Sequence, residues 1–137
     1  MNREIHNVLS RRKRLHLRSH KHQRGRKKSK DSAPKIQQGE EQAATSALTF
    51  DEVFWSIKKR KPELASETSY ALLNFPNLEI IPADRQLALS ALKIINECNL
   101  APRNALHAAT AIAVKANCIV STDPHFDKIK ELTRQPL

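Results

Sequence analysis

The 137-residue sequence predicts an α/β protein with a short parallel sheet. Apolar runs typical of strands alternate with segments in which apolar residues recur at helical spacing. Proline, glycine or aspartate separates these segments, as expected at the ends of helices and strands. No apolar run approaches the ~18 residues needed to cross a membrane, so no membrane partner is expected. The length allows a single folded domain with an extension.

Charge divides the chain into two segments. Residues 1–30 contain 12 Lys and Arg and a single acid, Glu4, whereas the rest contains 12 Lys and Arg and 13 acids. A block of like charge with few aliphatic residues cannot bury enough surface to fold alone. We therefore expect residues 1–32 to be a basic, disordered arm and residues 33–137 to be the folded domain. The arm is either an RNA-binding segment, a solvated tail, or a corrupted first segment left by a shifted reading frame.

The first elements are short. Residues 5–9 form an apolar segment that favours a strand. Residues 33–38 end a helix that Gly39 stops. Residues 42–46 favour a second short strand.

The next segment has the spacing of a helix N-terminus. Residues 49–52, Thr-Phe-Asp-Glu, fit a capping box in which Thr49 is the cap and Glu52 completes it. The helix is expected to run to about Lys59. Its predicted apolar face consists of Val53, Phe54 and Ile57.

A helix from Pro62 is expected to end before Pro76, and residues 78–81 favour a strand. Asp84 can cap the helix that follows. The predicted buried face of that helix consists of Leu87, Ala91, Ile94, Ile95 and Cys98.

The last third predicts a helix, a strand and a final short helix. Pro102 fits the first position of the helix, whose inward side is expected to hold Leu106, Ala109 and Ala113. Residues 118–120 are a short apolar strand, and Pro124 opens the final helix. The two cysteines, Cys98 and Cys118, lack metal-ligand spacing and are expected to be reduced thiols in an intracellular protein.

Three polar residues occupy equivalent places near helix starts: Glu52, Asn104 and Asp123. In a parallel sheet the helix starts gather at the carboxyl ends of the strands, so these side chains can converge. Clustered carboxylates there hold Mg²⁺ or Mn²⁺, and such an ion activates water for phosphodiester cleavage. Taken singly, each residue is better explained by a helix cap than by metal binding. For His107, one turn after Asn104, a packed, hydrogen-bonded core residue is favoured over a proton shuttle.

The stretch from Thr45 to the end resembles a PIN domain, in particular the prokaryotic toxin ribonucleases of the VapC kind. Three motifs carry the resemblance: residues 45–53 (TSALTFDEV), 103–111 (RNALHAATA) and 119–123 (IVSTD), followed by Phe126 and Asp127. The resemblance implies a three-layer α/β/α sandwich in which an acidic cluster binds Mg²⁺ or Mn²⁺ and cuts RNA. It also implies a cytoplasmic toxin of a toxin–antitoxin pair, with RNA, a cognate antitoxin and a second copy of the chain as partners.

The chain departs from the family pattern at two of four acidic positions. Glu52 and Asp123 match, but Asn104 replaces the Asp of the second motif, and Ile5 stands where the first strand should end in Asp. An amide oxygen coordinates without contributing charge, so weak metal binding and weakened or absent activity are expected. Thr122 is expected to support the ligands without touching the metal. The alternatives are a non-catalytic RNA-binding or antitoxin-binding protein, or a structural α/β domain with a basic tail.

Overall fold

The computed structural model describes residues 8–11 and 32–136. Its sheet has five strands in the order β3-β2-β1-β4-β5. The strands are β1 (Val8–Arg11), β2 (Gln42–Ser46), β3 (Leu78–Ile81), β4 (Cys118–Val120) and β5 (Arg134–Gln135). The predicted strands at 42–46, 78–81 and 118–120 are confirmed with these bounds, whereas β5 was not predicted.

Four of the five strands run in one direction. Strand β2 is parallel to β3, and β4 is parallel to β5. The central strand β1 runs antiparallel to both of its neighbours, with Leu9 opposite Ala44 on one side and Ile119 on the other. The α/β class is confirmed, and the reversed strand at the centre makes the sheet mixed. Residues 1–7 and 12–31, which hold most of the predicted arm and part of the first predicted strand, lie outside the described residues.

Five α-helices accompany the sheet. They are α1 (Ser32–Gln37), α2 (Leu48–Lys58), α3 (Ala65–Leu73), α4 (Arg85–Cys98) and α5 (Pro102–Ala113). Short 3₁₀ helices occupy Pro62–Leu64 and Pro124–Lys128. Helix α4 packs along α5, α2 packs along α3, and α5 also lies against β2 and β4.

Local sequence signals explain several helix ends. The Asp84 carboxylate accepts a hydrogen bond from the Leu87 amide at 2.8 Å and caps α4 as predicted. Pro102 occupies the first turn of α5, where its missing N–H costs nothing. Gly39 has a φ of +77° just after α1, a conformation that favours glycine.

Helix α2 departs from the prediction in a way that matters for the site. It begins at Leu48, and its N-cap residue, Ala47, provides no side-chain cap. Thr49 therefore lies inside the helix, where its hydroxyl bonds the Thr45 hydroxyl at 2.7 Å. The predicted capping box is wrong, and the buried residues of α2 are Thr49 and Glu52.

The hydrophobic core lies between α4, α5 and the sheet. Its buried members include Ala44, Leu87, Ala91, Ile94, Leu100, Ala105, Ala108, Ala109, Ile119 and Phe126. The predicted inner face of α4 is confirmed at Leu87, Ala91 and Ile94, whereas Ala113 of α5 is exposed. Alanine lines much of α5, which lets the helix approach the sheet closely.

In the described part of the chain, no helix is long and apolar enough to cross a membrane. Cys98 and Cys118 are not joined by a disulfide.

Candidate active site

The topology brings the predicted residues toward one edge of the sheet. Strand β2 ends at Ser46, just before α2, and Asp123 follows the end of β4 by three residues. Because β2 and β4 both run antiparallel to β1, their carboxyl ends lie at the same edge. The first turn of α5 meets both segments there, through Arg103 beside α2 and Asn104 beside Asp123.

Glu52 is a buried carboxylate whose partners lie on α5. Its side chain is 7% exposed, and that of His107 is 1% exposed. The Nε2 atom of His107 is hydrogen-bonded to Oε2 of Glu52 at 3.1 Å. The guanidinium of Arg103 lies 3.9 Å from Oε1 of Glu52 and also bonds Asp51 at 3.2 Å. Glu52 is therefore held by two α5 side chains instead of capping its own helix.

Asp123 and Asn104 are in direct contact. The Nδ2 atom of Asn104 donates a hydrogen bond to Oδ2 of Asp123 at 2.6 Å. The other carboxylate oxygen, Oδ1, accepts from the His125 amide at 2.9 Å and lies 2.6 Å from Nδ1 of His125. Asp123 thus caps its 3₁₀ helix, as the sequence predicted, and also binds Asn104.

Burial and hydrogen bonding have opposite effects on the pKa of the Asp123 carboxyl. Burial raises the pKa of its carboxyl, but the hydrogen bonds from the His125 backbone, the His125 side chain and Asn104 outweigh burial. The pKa of Asp123 therefore lies below its usual range. Asp123 is an anion near neutral pH.

Hydrogen bonds involving Ser121 and Arg134 hold the segment that carries Asp123 in place. The Asp123 amide donates to the Ser121 hydroxyl at 3.1 Å. Arg134 donates to the Ser121 carbonyl at 3.2 Å and to both carboxylate oxygens of Asp127 at 2.8 and 2.9 Å. Thr122, the predicted supporting residue, is exposed, and the hydroxyl that contacts the Asp123 backbone belongs to Ser121.

The two carboxylates contact neighbouring positions on α5. Asp123 contacts Asn104, and Glu52 contacts His107, which lies three residues further along the same helix. Side chains three residues apart on a helix are neighbours, with Cβ atoms roughly 5–6 Å apart. Sequence reasoning missed Arg103 and Arg134 as partners of the acidic residues, although Arg103 stands inside the second motif.

This arrangement fits a divalent cation poorly. Asn104 directs an N–H group toward Asp123, and Glu52 is engaged by His107 and Arg103. A hard cation needs oxygen ligands and negative charge, and each of these contacts satisfies a carboxylate without a metal. Among the described residues, no group of three or more His, Cys, Asp and Glu side chains is placed to hold a metal ion.

In a comparison with protein families, the family model of the PIN domain matches residues 15–132. The matched range contains Glu52, Asn104 and Asp123, and it begins within the basic segment. Comparisons with curated proteins and with solved structures found no match.

Proposed function

Because the chain belongs to the PIN domain family, we propose that it is a metal-dependent endoribonuclease of the toxin type whose active site is weakened. The family is one of nucleases that generally use divalent metal ions, and RNA is the substrate that it suggests. Glu52 and Asp123 are the proposed catalytic and metal-binding carboxylates, and Asn104 is a neutral ligand position. The chain is therefore expected to cleave RNA slowly or not at all.

The contact between Asn104 and Asp123 carries the proposal that activity is weakened. Two carboxylates 2.6 Å apart would repel each other unless a cation or a proton lay between them. An amide in place of one carboxylate turns that repulsion into a hydrogen bond. The pair is thus stable without a metal, and an incoming ion must compete with this hydrogen bond for Asp123.

Weak binding of Mg²⁺ or Mn²⁺ follows from the same chemistry. Among the described residues, the candidate metal ligands include two carboxylates, those of Glu52 and Asp123. Both already have protein partners. Losing carboxylate ligands lowers the affinity of a hard-cation site. Position 5, where the family pattern has a further Asp, is Ile in this sequence and lies outside the described residues.

The proposed partners are RNA, a cognate antitoxin and a second copy of the chain in the cytoplasm. Exposed apolar side chains on α4 and α5 support a protein partner: Leu89 and Leu92 lie three residues apart on α4, and Ile112 lies on α5, which packs along it. Large exposed apolar side chains that share a helix face are common at protein interfaces.

The runner-up is a non-catalytic RNA-binding or antitoxin-binding protein of the same family. The engagement of Glu52 by both His107 and Arg103 favours it, because a buried ligand that is already paired offers little to a metal ion. The basic arm would then supply RNA affinity without cleavage.

RNA cleavage separates the two candidates. The full chain would be incubated with a fluorescently labelled single-stranded RNA in Mn²⁺ and, separately, in EDTA. Under the nuclease proposal, we expect slow cleavage that requires Mn²⁺ and disappears in Asp123→Asn and Glu52→Gln, which preserve volume but remove a charge.

The control variant is Glu97→Gln, which makes the same chemical change at an exposed carboxylate in the last turn of α4. It should cleave like the wild type. Equal cleavage by the wild type and Asp123→Asn would refute the nuclease proposal, and RNA binding without cleavage would establish the runner-up.

A further inference from the structure

The solvent-facing side of α2 carries aromatic side chains that are not buried in the core. Phe50 is 42% exposed and Trp55 is 50% exposed. Phe54 contacts both of them. Its ring centroid is 6.0 Å from that of Phe50, with the two rings tilted, and 6.2 Å from that of Trp55, with the two rings edge to face. Phe54 itself is half-buried, so Phe50 and Trp55 form an exposed aromatic surface around it. Exposed apolar side chains grouped in this way indicate a binding surface.

Positive charge borders this cluster. The Lys58 ammonium lies 5.4 Å from the centroid of the Phe54 ring and 5.2 Å from that of Trp55. Lys58 begins the run 58–61, Lys-Lys-Arg-Lys, and all four residues are exposed. No acidic residue occurs between positions 53 and 62. We call Phe50, Phe54, Trp55 and the run 58–61 the aromatic-basic face.

This composition fits a nucleic-acid strand better than a protein partner. Lysine is depleted in protein interfaces, whereas four consecutive cations beside aromatic rings match a phosphate backbone and its bases. Aromatic side chains stack on any base, because every base has a π-face. A phosphate that draws the Lys58 ammonium away from the rings would leave a ring face for a base.

We propose that the aromatic-basic face binds single-stranded RNA, with a base stacked on Trp55 and the backbone phosphates paired with the run 58–61. Helix α2 also carries Glu52, so a strand bound here would lie on the element that supplies one candidate catalytic carboxylate. The choice of RNA over DNA rests on the proposed function, but binding at this face requires no cleavage.

The chain has one tryptophan, so its fluorescence reports on this face alone. The full chain in EDTA would be titrated with an oligouridylate and, separately, with an abasic oligomer of the same length and charge. We expect the oligouridylate to quench Trp55 emission saturably and the abasic oligomer to leave it nearly unchanged. The abasic oligomer controls for binding through phosphate contacts alone.

Affinity measured by anisotropy of the labelled oligomers gives a second readout. Trp55→Leu should weaken oligouridylate binding by about fivefold or more and leave binding of the abasic oligomer unchanged. Tyr70→Leu, which removes an exposed aromatic side chain of α3, is the matched control and should bind like the wild type. Circular dichroism confirms that each variant is folded.

Two results would overturn the proposal. One is oligouridylate binding without Trp55 quenching, because the face would then play no part in binding. The other is a shift of Trp55 emission with protein concentration and without RNA, accompanied by dimer formation, because the face would then be a protein interface. Neither result depends on cleavage, so failure of the nuclease assay leaves this proposal intact.

Discussion

At the scale of single residues, Asn104 determines which partner the Asp123 carboxylate has in the candidate site. Its amide donates to Asp123 at 2.6 Å, a contact that an aspartate could make only with a proton or a cation between the two side chains. The replacement changes few atoms, yet it removes one negative charge and adds an NH₂ group with two N–H donors. Asn104 therefore stabilises the metal-free site.

The first prediction reverses that replacement. Asn104→Asp should lower the thermal unfolding midpoint in EDTA, because two carboxylates then face each other. It should also tighten Mn²⁺ binding by about tenfold or more, since the added carboxylate is a charged ligand. Calorimetric titration with Mn²⁺ measures the affinity, and adding Ile5→Asp should raise it further.

Asn117→Asp is the matched control, because it makes the same chemical change at an exposed residue between α5 and β4. It should leave both quantities near the wild-type values. An Asn104→Asp variant with unchanged Mn²⁺ affinity would show that the site is wrongly assigned.

The second prediction concerns the buried pair Glu52 and His107. His107→Leu removes the hydrogen-bond partner of the buried Oε2 atom of Glu52, leaving only Arg103 near the other oxygen, and should cost about 2 kcal/mol of unfolding free energy. Replacing both residues, by Glu52→Met with His107→Leu, removes the need for a partner. The double variant should therefore be more stable than the sum of the single effects predicts, by roughly 1–3 kcal/mol. Urea unfolding of the four proteins measures this coupling, and additive effects would exclude a direct interaction.

At the scale of elements, the 3₁₀ segment Pro124–Lys128 is tied to β5 by a charged pair. Arg134 donates to both oxygens of Asp127, and this contact holds the pKa of Asp127 below its ordinary value of 3.8. A lowered folded-state pKa stabilises the fold above the ordinary value, and the contribution is lost as the pH falls through the lowered pKa.

The third prediction follows from the lowered pKa of Asp127. Asp127→Asn should lower the urea midpoint at about pH 7, and the difference from the wild type should shrink as the pH falls through the lowered pKa of Asp127. Glu97→Gln removes an exposed carboxylate elsewhere and controls for net charge. A difference that persists in acid would mean that Asp127 acts through packing and not through its charge.

Strand β1 is the element on which the whole sheet depends. It lies between β2 and β4 and pairs with both, so it joins the two parallel halves. The fourth prediction is that Ser10→Pro destabilises the protein by at least about 1–3 kcal/mol, because it removes a ladder donor from a central strand. Ser10→Ala retains the backbone N–H and should be nearly neutral. If Ser10→Pro unfolds at the same urea concentration as the wild type, β1 is not part of the stable sheet.

At the scale of the whole molecule, the basic residues 1–30 include the central strand β1. Deleting residues 1–30 would remove β1 together with the basic segment, so a loss of RNA binding in such a deletion would have two explanations. Replacing the ten Lys and Arg residues between positions 12 and 30 by Gln separates charge from the strand.

The fifth prediction uses that variant. Its RNA affinity should fall, because the arm no longer neutralises phosphates. The slope of log affinity against log salt should become shallower by about 0.7 for each single-strand phosphate that the arm neutralises in the wild type. Replacing exposed Lys93 and Lys115 by Gln is the control and should change the slope little. An unchanged slope in the arm variant would place the main RNA-binding surface in the folded domain.

The sequence by itself determined the features set by short-range chemistry. Asp84, Pro102 and Gly39 mark helix ends because a cap, a missing N–H and a positive φ act within one turn. The predicted bounds of β2, β3 and β4 were confirmed because each is a short run ended by polar residues or proline. The motifs around Glu52 and Asp123 also indicated the family correctly.

Only the tertiary structure decided which groups meet. Glu52 fitted a local cap, but its partner His107 lies 55 residues away and comes close only because α5 packs against β2, the strand that leads into α2. The antiparallel direction of β1 and the pairing of β5 depend on neighbouring strands, and the contact of Arg134 with Asp127 depends on where β5 lies. A short-range pattern fixes the conformation of a segment, whereas burial and hydrogen bonding between distant segments fix its partners. In this protein those partners determine the charge balance of the candidate site.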